Sequence, residues 1–254
     1  MTNRLKVLDL FAGAGGFTLA GEMAGGYSTV AFCEIDKYAQ RVLRANWPDV
    51  PVFDDVTKLK GADIGAVDVI TGGFPCQDLS ACGRGEGLDG GTRSGLFREM
   101  LRLADECGRP YIIFENVTRL LSGPAEEPGA WFATFLGALA SSGYDAEWFC
   151  VSAGAFGGPH ERKRVCVVAY PNEAPIERGG LSRRVYEAHS NLDRLSCWWG
   201  YGCGPERRIY RVDDGVSLGP HRIRSGIMGN AIVPQVFAIV MRALREAHEE
   251  AVSD

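Results

Sequence analysis

A chain of 254 residues, 46% hydrophobic and 23% charged, can bury a sizeable core as one large α/β domain, or as one domain with a small appendage. No stretch approaches 18 consecutive apolar residues and "MTNRLKVLDL" runs straight into a strand pattern; neither a membrane span nor a signal peptide is expected, and the protein reads as cytoplasmic. The net charge of −5 divides unevenly: residues 160–224 hold 12 Lys/Arg against 8 Asp/Glu and the remainder 15 against 24, the asymmetry of a basic face meeting a polyanion, although surface scatter gives the same totals.

"LKVLDLFAG" reads as a strand running into glycines, followed by the helical spacing of "GFTLAGEMAGG". "YSTVAFCEID" is a second strand ending in acids, and "KYAQRVLRANW" a second helix. Then come the strand "VDVITGGFP", the helix "GLFREMLRLADECG", the strand "PYIIFENV", the helix "GAWFATFLGALASSGY", and the strands "DAEWFCVSA" and "RKRVCVVAY". Short apolar strands alternating with helices of ten to fifteen residues predict a mainly parallel sheet with helices on both faces. From 171 to about 220 the pattern breaks into a Pro-, Gly- and Arg-rich stretch, too long for a structureless connection. The amphipathic "NAIVPQVFAIVMRALREAHEE" then closes the chain. The expected division is a catalytic and cofactor-binding domain over 1–170, a small recognition region over 171–220, and a helix within 221–254 returning to the first domain.

Ligands of open α/β sheets bind at the carboxyl ends of the strands. There, "DLFAGAGG" lets backbone approach a ligand, Glu34 is placed to accept from a ribose diol, Ile35 to cover an adenine face, and Asp55 to take its amino group. The spacing G-A-G-G departs from the GxGxxG of nicotinamide folds, and these glycines can equally do no more than shape a turn. The eight cysteines are scattered without a CxxC pair, which argues against a zinc site or a disulfide framework. Cys76, in the Pro-bent turn "GGFPCQDLS", can face the same cleft. Glu115 of "FENV" can reach it, and Arg162 and Arg164 of "HERKRV" alternate along one strand face. A thiol, a carboxyl group and guanidinium groups around one pocket suit addition to an electron-poor ring.

With these residues in order, the chain resembles the DNA (cytosine-5) methyltransferases of bacterial or phage type. "DLFAGAGGF" is similar to their cofactor loop, "GGFPCQDLS" to the nucleophile motif, "ENV" to the acid motif, "PHERKRV" to the Gln-x-Arg-x-Arg segment, and "GNAIVPQV" to the closing motif. His160 stands where the family has Gln. The resemblance implies a Rossmann-like S-adenosylmethionine-dependent methyltransferase fold with a small target-recognition region. It implies that Cys76 adds to C6 of a cytosine turned out of double-stranded DNA, that Glu115 serves N3 and the amino group, and that Arg164 holds the base carbonyl, with Arg162 beside it in the catalytic set. The implied cofactor pocket is Phe11, Gly13, Glu34, Ile35, Asp55, Leu96, Asn230 and Ala231. Gln77 and Ser80 would face the substrate, and the glycine-rich "ACGRGEGLDGGTRSG" would act as a lid.

For DNA reading, Arg183 and Arg184 are the candidates in the short stretch before "RIYRVDDGVS", while Trp198 and Trp199 read as a miniature core. The expected enzyme is a monomer without metal, nucleoid-associated in use, with a cognate restriction endonuclease as a separate partner. A tRNA cytosine-5 methyltransferase, and a non-catalytic nucleic-acid-binding module of the same fold, are the alternatives.

Overall fold

The computed structural model describes residues 4–75, 93–123, 127–154, 162–190 and 232–253. Its centre is a seven-stranded sheet of β1 (Leu5–Leu10), β2 (Tyr27–Cys33), β3 (Val52–Phe53), β4 (Val69–Gly72), β5 (Tyr111–Val117), β6 (Tyr144–Ser152) and β7 (Lys163–Pro171). The strand order is β3-β2-β1-β4-β5-β7-β6, with β7 antiparallel to both neighbours and the other pairs parallel. The order turns back between β1 and β4, so the crevice of the fold opens at their carboxyl ends.

The central strands are buried on both faces, which is why they read as continuous apolar runs. In β5 and β7, Ile112, Phe114, Val165 and Val167 join one core with Phe97, Met100, Phe135 and Leu139. Their alternates Tyr111, Ile113, Cys166 and Val168 join another with Phe17, Val185, Phe237 and Met241. The first core is roofed by α3 (Phe97–Glu106) and α4 (Ala130–Ser141). The second is roofed by α1 (Gly16–Ala24), α5 (Gly180–Ser190) and α6 (Pro234–Ser253). A further helix, α2 (Lys37–Asn46), starts on the Asp36 side chain, which accepts from the N–H groups of Tyr38 and Ala39 at 2.8 Å. No helix among the described residues is long and apolar enough to cross a membrane.

Two elements depart from the sequence reading. The two-residue β3 carries no period of its own and exists through its pairing with Phe32 and Cys33. The other, α5, lies where no regular pattern was expected. Its N-terminus is held by a distant residue, Glu147 of β6, whose Oε1 and Oε2 accept from the N–H groups of Gly179 (3.0 Å) and Ser182 (2.7 Å). Ile176, Leu181 and Val185 are buried in the same core as α6, so residues 171–190 pack as part of the sheet's own body.

Candidate active site

At the carboxyl end of β1 the chain turns through Phe11 (φ 51°), Gly13 (φ 55°) and Gly15 (φ 81°) into α1. Gly15 is required twice over: its backbone is left-handed, and a Cβ there would sit 2.4 Å from the Trp47 ring. Among the described residues, nothing lies within 4 Å of where a Cβ on Gly13 would be. The Gly13 N–H donates to Glu34 Oε2 at 2.7 Å, while Glu34 Oε1 accepts from Asp36 N–H at 2.8 Å. Ile35 beside it is 74% exposed, an apolar side chain left uncovered at a strand end. Asp55 lies past β3, where Thr57 donates to Oδ1 from both N–H and hydroxyl, and Lys58 pairs with Oδ2 at 3.1 Å. Leu96 ends a short 3-10 turn, Arg93–Leu96, and packs on the first core.

Glu115 of β5 is 7% exposed. Arg164 Nε lies 2.7 Å from Glu115 Oε1, an ion pair rather than an aligned hydrogen bond, because Oε1 has no partner in hydrogen-bond geometry. Burial pushes the Glu115 carboxyl above its ordinary range, against the opposing charges of Arg164 and then Arg162. The reversed direction of β7 makes this meeting possible: Arg164 pairs in register with Val117, at the end of β5 that carries Glu115. Arg162 adopts φ 32° just before β7, and burial, then the neighbouring Arg164, lowers its pKa.

This pair is tied to the turn that leads to Cys76. A Cβ on Gly73 would lie 2.8 Å from Glu115 Oε2, so this stretch of backbone lies directly against the carboxyl group. Asn116 Nδ2 donates to the Phe74 carbonyl at 3.2 Å, and the Phe74 ring packs among Phe97, Phe114 and Phe135. Cys76, Gln77, Ser80, His160, Asn230 and Ala231, most of the expected lid, and Trp198 and Trp199 lie outside the described residues. Of the cysteines that are described, burial pushes Cys33 up to about 12 and Cys166 well above the usual thiol range, as fits packing rather than nucleophilic attack.

The structure brings Glu115, Arg162 and Arg164 together beside Gly73, and gathers Phe11, Gly13 and Glu34 at the β1 turn. It does not bring Arg183 and Arg184 to either group. Both lie on α5, where Arg183 pairs with Glu177 at 2.9 Å and Arg184 with Glu250 near the end of α6. That end of α6 adjoins the start of β5, where His248 Nδ1 is 3.1 Å from the Tyr111 hydroxyl, so Arg184 belongs to the amino end of the sheet.

Reasoning from residues alone passed over Asn116, and over Asp9, whose burial depends on partners 9 and 62 positions away. It also passed over two exposed arginines at the carboxyl end. Arg98 opens α3 over the Phe97 ring, and Arg119 follows β5 over the Trp131 ring. Their position directly after motif residues was the available signal. Among the described residues no group of three or more His, Cys, Asp or Glu is set to hold a metal ion.

The family model for C-5 cytosine-specific DNA methylases matches residues 5–195. The chain belongs to this family. It is 36% identical over 175 residues to the Type II methyltransferase M2.BsuMI of Bacillus subtilis, covering 67% of this chain and 43% of the relative. It is 34% identical over 213 residues to M.DsaV of Dactylococcopsis salina, covering 78% and 58%. The chain thus spans about half the length of the curated relatives it matches. Among solved structures, the Dnmt2 methyltransferase of S. pombe superposes with a TM-score of 0.52 at 27% identity, covering 66% of this chain and 51% of that one.

Proposed function

We propose that this chain methylates C5 of a cytosine in a short specific sequence of double-stranded DNA, with S-adenosylmethionine as methyl donor. The carrying observation is the Glu115–Arg164 pair packed on Gly73, which unites three separated motifs at one point three residues before Cys76. Residues at the β1 turn fit the donor: room at Gly13 among the described residues, acceptor oxygens on Glu34 and Asp55 with lone pairs to spare, and the uncovered side chain of Ile35. Phe11 and Leu96, with Asn230 and Ala231, complete that pocket in this reading. When bound, the cofactor supplies an electrophilic methyl group on a sulfonium.

The chain's own groups do the rest. The Cys76 thiolate adds to C6 of a cytosine turned out of the duplex, at an unstacking cost of a few kcal/mol. Glu115, which burial favours in its protonated form, donates to N3 as charge develops there. Arg164 has N–H groups left for the base carbonyl after pairing with Glu115 and donating to the Lys163 carbonyl, and Arg162 adds positive charge beside it. Addition makes C5 nucleophilic enough to take the methyl group from the sulfonium; a solvent base then removes the C5 proton, the freed electron pair expels the Cys76 thiolate, and Glu115 takes its proton back from N3. Gln77 and Ser80 line the base side of this pocket, the recognition region lies within 171–220, and a separate restriction endonuclease of the same specificity completes the biological setting.

The test is transfer of labelled methyl from S-adenosylmethionine to duplex DNA and to tRNA side by side, with bisulfite sequencing of the DNA product. DNA containing 5-fluorocytosine at the mapped site should trap a covalent complex through Cys76. Modification of tRNA alone, or of neither substrate, would overturn the proposal.

A further inference from the structure

The buried side of α2 consists of Ala39, Gln40 and Leu43. Two of these pack as apolar groups; the third is an amide, costly to bury unless its polar atoms find partners. Both N–H bonds of that amide are used: Gln40 Nε2 donates to the Glu34 carbonyl at 2.6 Å and to Asp54 Oδ1 at 3.0 Å. Its Oε1 accepts from Arg44 Nη1 at 3.2 Å, one turn further along the helix. The two acceptors of Nε2 belong to different strand ends, for Glu34 follows β2 and Asp54 follows β3. Gln40 therefore grips one of the two acids assigned to the cofactor, Glu34, and the residue next to the other, Asp55.

Strand pairing does little to fix that spacing. The two-residue β3 pairs only Val52 with Phe32 and Phe53 with Cys33, and the Glu34 N–H then donates to the Phe53 carbonyl at 2.9 Å. From α2, Lys37 also reaches Asp54, at 2.7 Å, but these two side chains are 68% and 59% exposed and such a pair holds weakly. The buried amide is the firmer tie. We infer that Gln40 is a positioning residue that sets the separation of Glu34 and Asp55, and through it the preference of the site for adenine over a purine bearing a carbonyl in place of the amino group. Such a purine offers the Asp55 carboxylate no amino donor, so Asp55 tells the two apart only while it is held in place. This inference rests on the cofactor reading above.

The experiment is calorimetric titration of the full chain with S-adenosylhomocysteine and with its inosine form, in which oxygen replaces the adenine amino group. Wild type should prefer the adenine form by about tenfold or more, the effect of one hydrogen bond to a charged acceptor. Gln40→Leu keeps the bulk and removes both tethers; it should narrow that preference to within about threefold, mainly by weakening the adenine form. Asp54→Ala cuts one tether from its exposed end, should narrow the preference in the same direction, and carries the test should Gln40→Leu not fold. Asp54→Asn leaves Gln40 an oxygen to bind and should keep the wild-type ratio. Equal weakening of both ligands, or an unchanged ratio in Asp54→Ala, would overturn the inference and leave Gln40 a structural role only. A ratio narrowed in Asp54→Asn would also overturn it, by moving the role to Lys37. A wild-type protein that binds the two forms alike would instead refute the assignment of Asp55 in the cofactor reading, and this inference with it.

Discussion

At the carboxyl end of the sheet, Asp9 and Glu115 hold carboxyl groups away from water, one among hydroxyls and one beside Arg164. At the amino end, by contrast, Arg184 meets Glu250, Arg109 donates to the Gly143 carbonyl at 2.9 Å and lies 3.6 Å from Glu173, and Arg245 donates to the carbonyls of Ala24 and Gly25. The amino-end contacts close helix and turn termini with partly exposed side chains, and such pairs contribute little individually. Those at the carboxyl end remove acids from water at a cost that surface pairs do not incur. A fold tolerates that cost where the shifted acid serves chemistry or selectivity.

The contrast breaks most sharply at Glu115. Glu115→Gln keeps the shape but cannot release a proton to the base, so methyl transfer should fall by about 10²- to 10⁴-fold. Single-turnover rates with labelled cofactor would measure this. A loss below tenfold would remove Glu115 from acid catalysis.

Next in size is the stability cost of Asp9. Its folded pKa lies above the ordinary value of 3.8, at about 7, so the native state binds the extra proton between those limits. Wild-type stability should therefore decline as pH rises from about 4 to about 7 and level off above, by on the order of 4 kcal/mol from this group. Asp9→Asn should flatten that slope and be the more stable protein at pH 8. Urea unfolding across this pH range provides the comparison, and parallel slopes in the two proteins would refute the assignment.

A smaller effect is expected at Glu147. Glu147→Ala leaves two N–H groups at the start of α5 without their acceptor and should cost about 1–2 kcal/mol. Methyl transfer per folded molecule should not change, since α5 stands apart from Glu115; a drop in that rate would erase the distinction between the two ends.

The smallest effect belongs to the arginines of α5. The double variant Arg183→Ala/Arg184→Ala should alter stability by less than about 1 kcal/mol. Its DNA affinity and salt dependence should match wild type. Replacing Arg98 and Arg119 at the other end should instead lower the slope of log affinity against log salt by about one unit for each phosphate no longer neutralised. If the first pair changes the slope and the second does not, DNA lies along α5 and the comparison is inverted.

Legibility in the sequence followed the range of the interactions. The apolar runs in "PYIIFENV" and "RKRVCVVAY" are local, and they located β5 and β7 together with Glu115 and Arg164. Their approach to one another depends on the antiparallel pairing of β7, which no residue of either segment records. Arg183 and Arg184 are legible as basic residues, but their partners are not: Glu177 lies six positions before Arg183, and Glu250 66 positions beyond Arg184. Asp9 carried no signal of its own, because Thr71, which donates to it, lies 62 positions away, whereas Glu34 at the next strand end stays partly open.

The seating of α6 against α1 has a consequence in time. The Tyr27 hydroxyl donates to the Met241 carbonyl across 214 positions, and Phe17 packs edge-on to Phe237 at 4.9 Å. At roughly 5–20 residues per second on a ribosome, Phe17 emerges roughly 10–45 s before the ring that covers it. Through that interval α1 presents an apolar flank with no native partner from α6. The nascent chain is then open to chaperones or to other chains. Completion of the α1 flank must wait for residues made more than two hundred positions later.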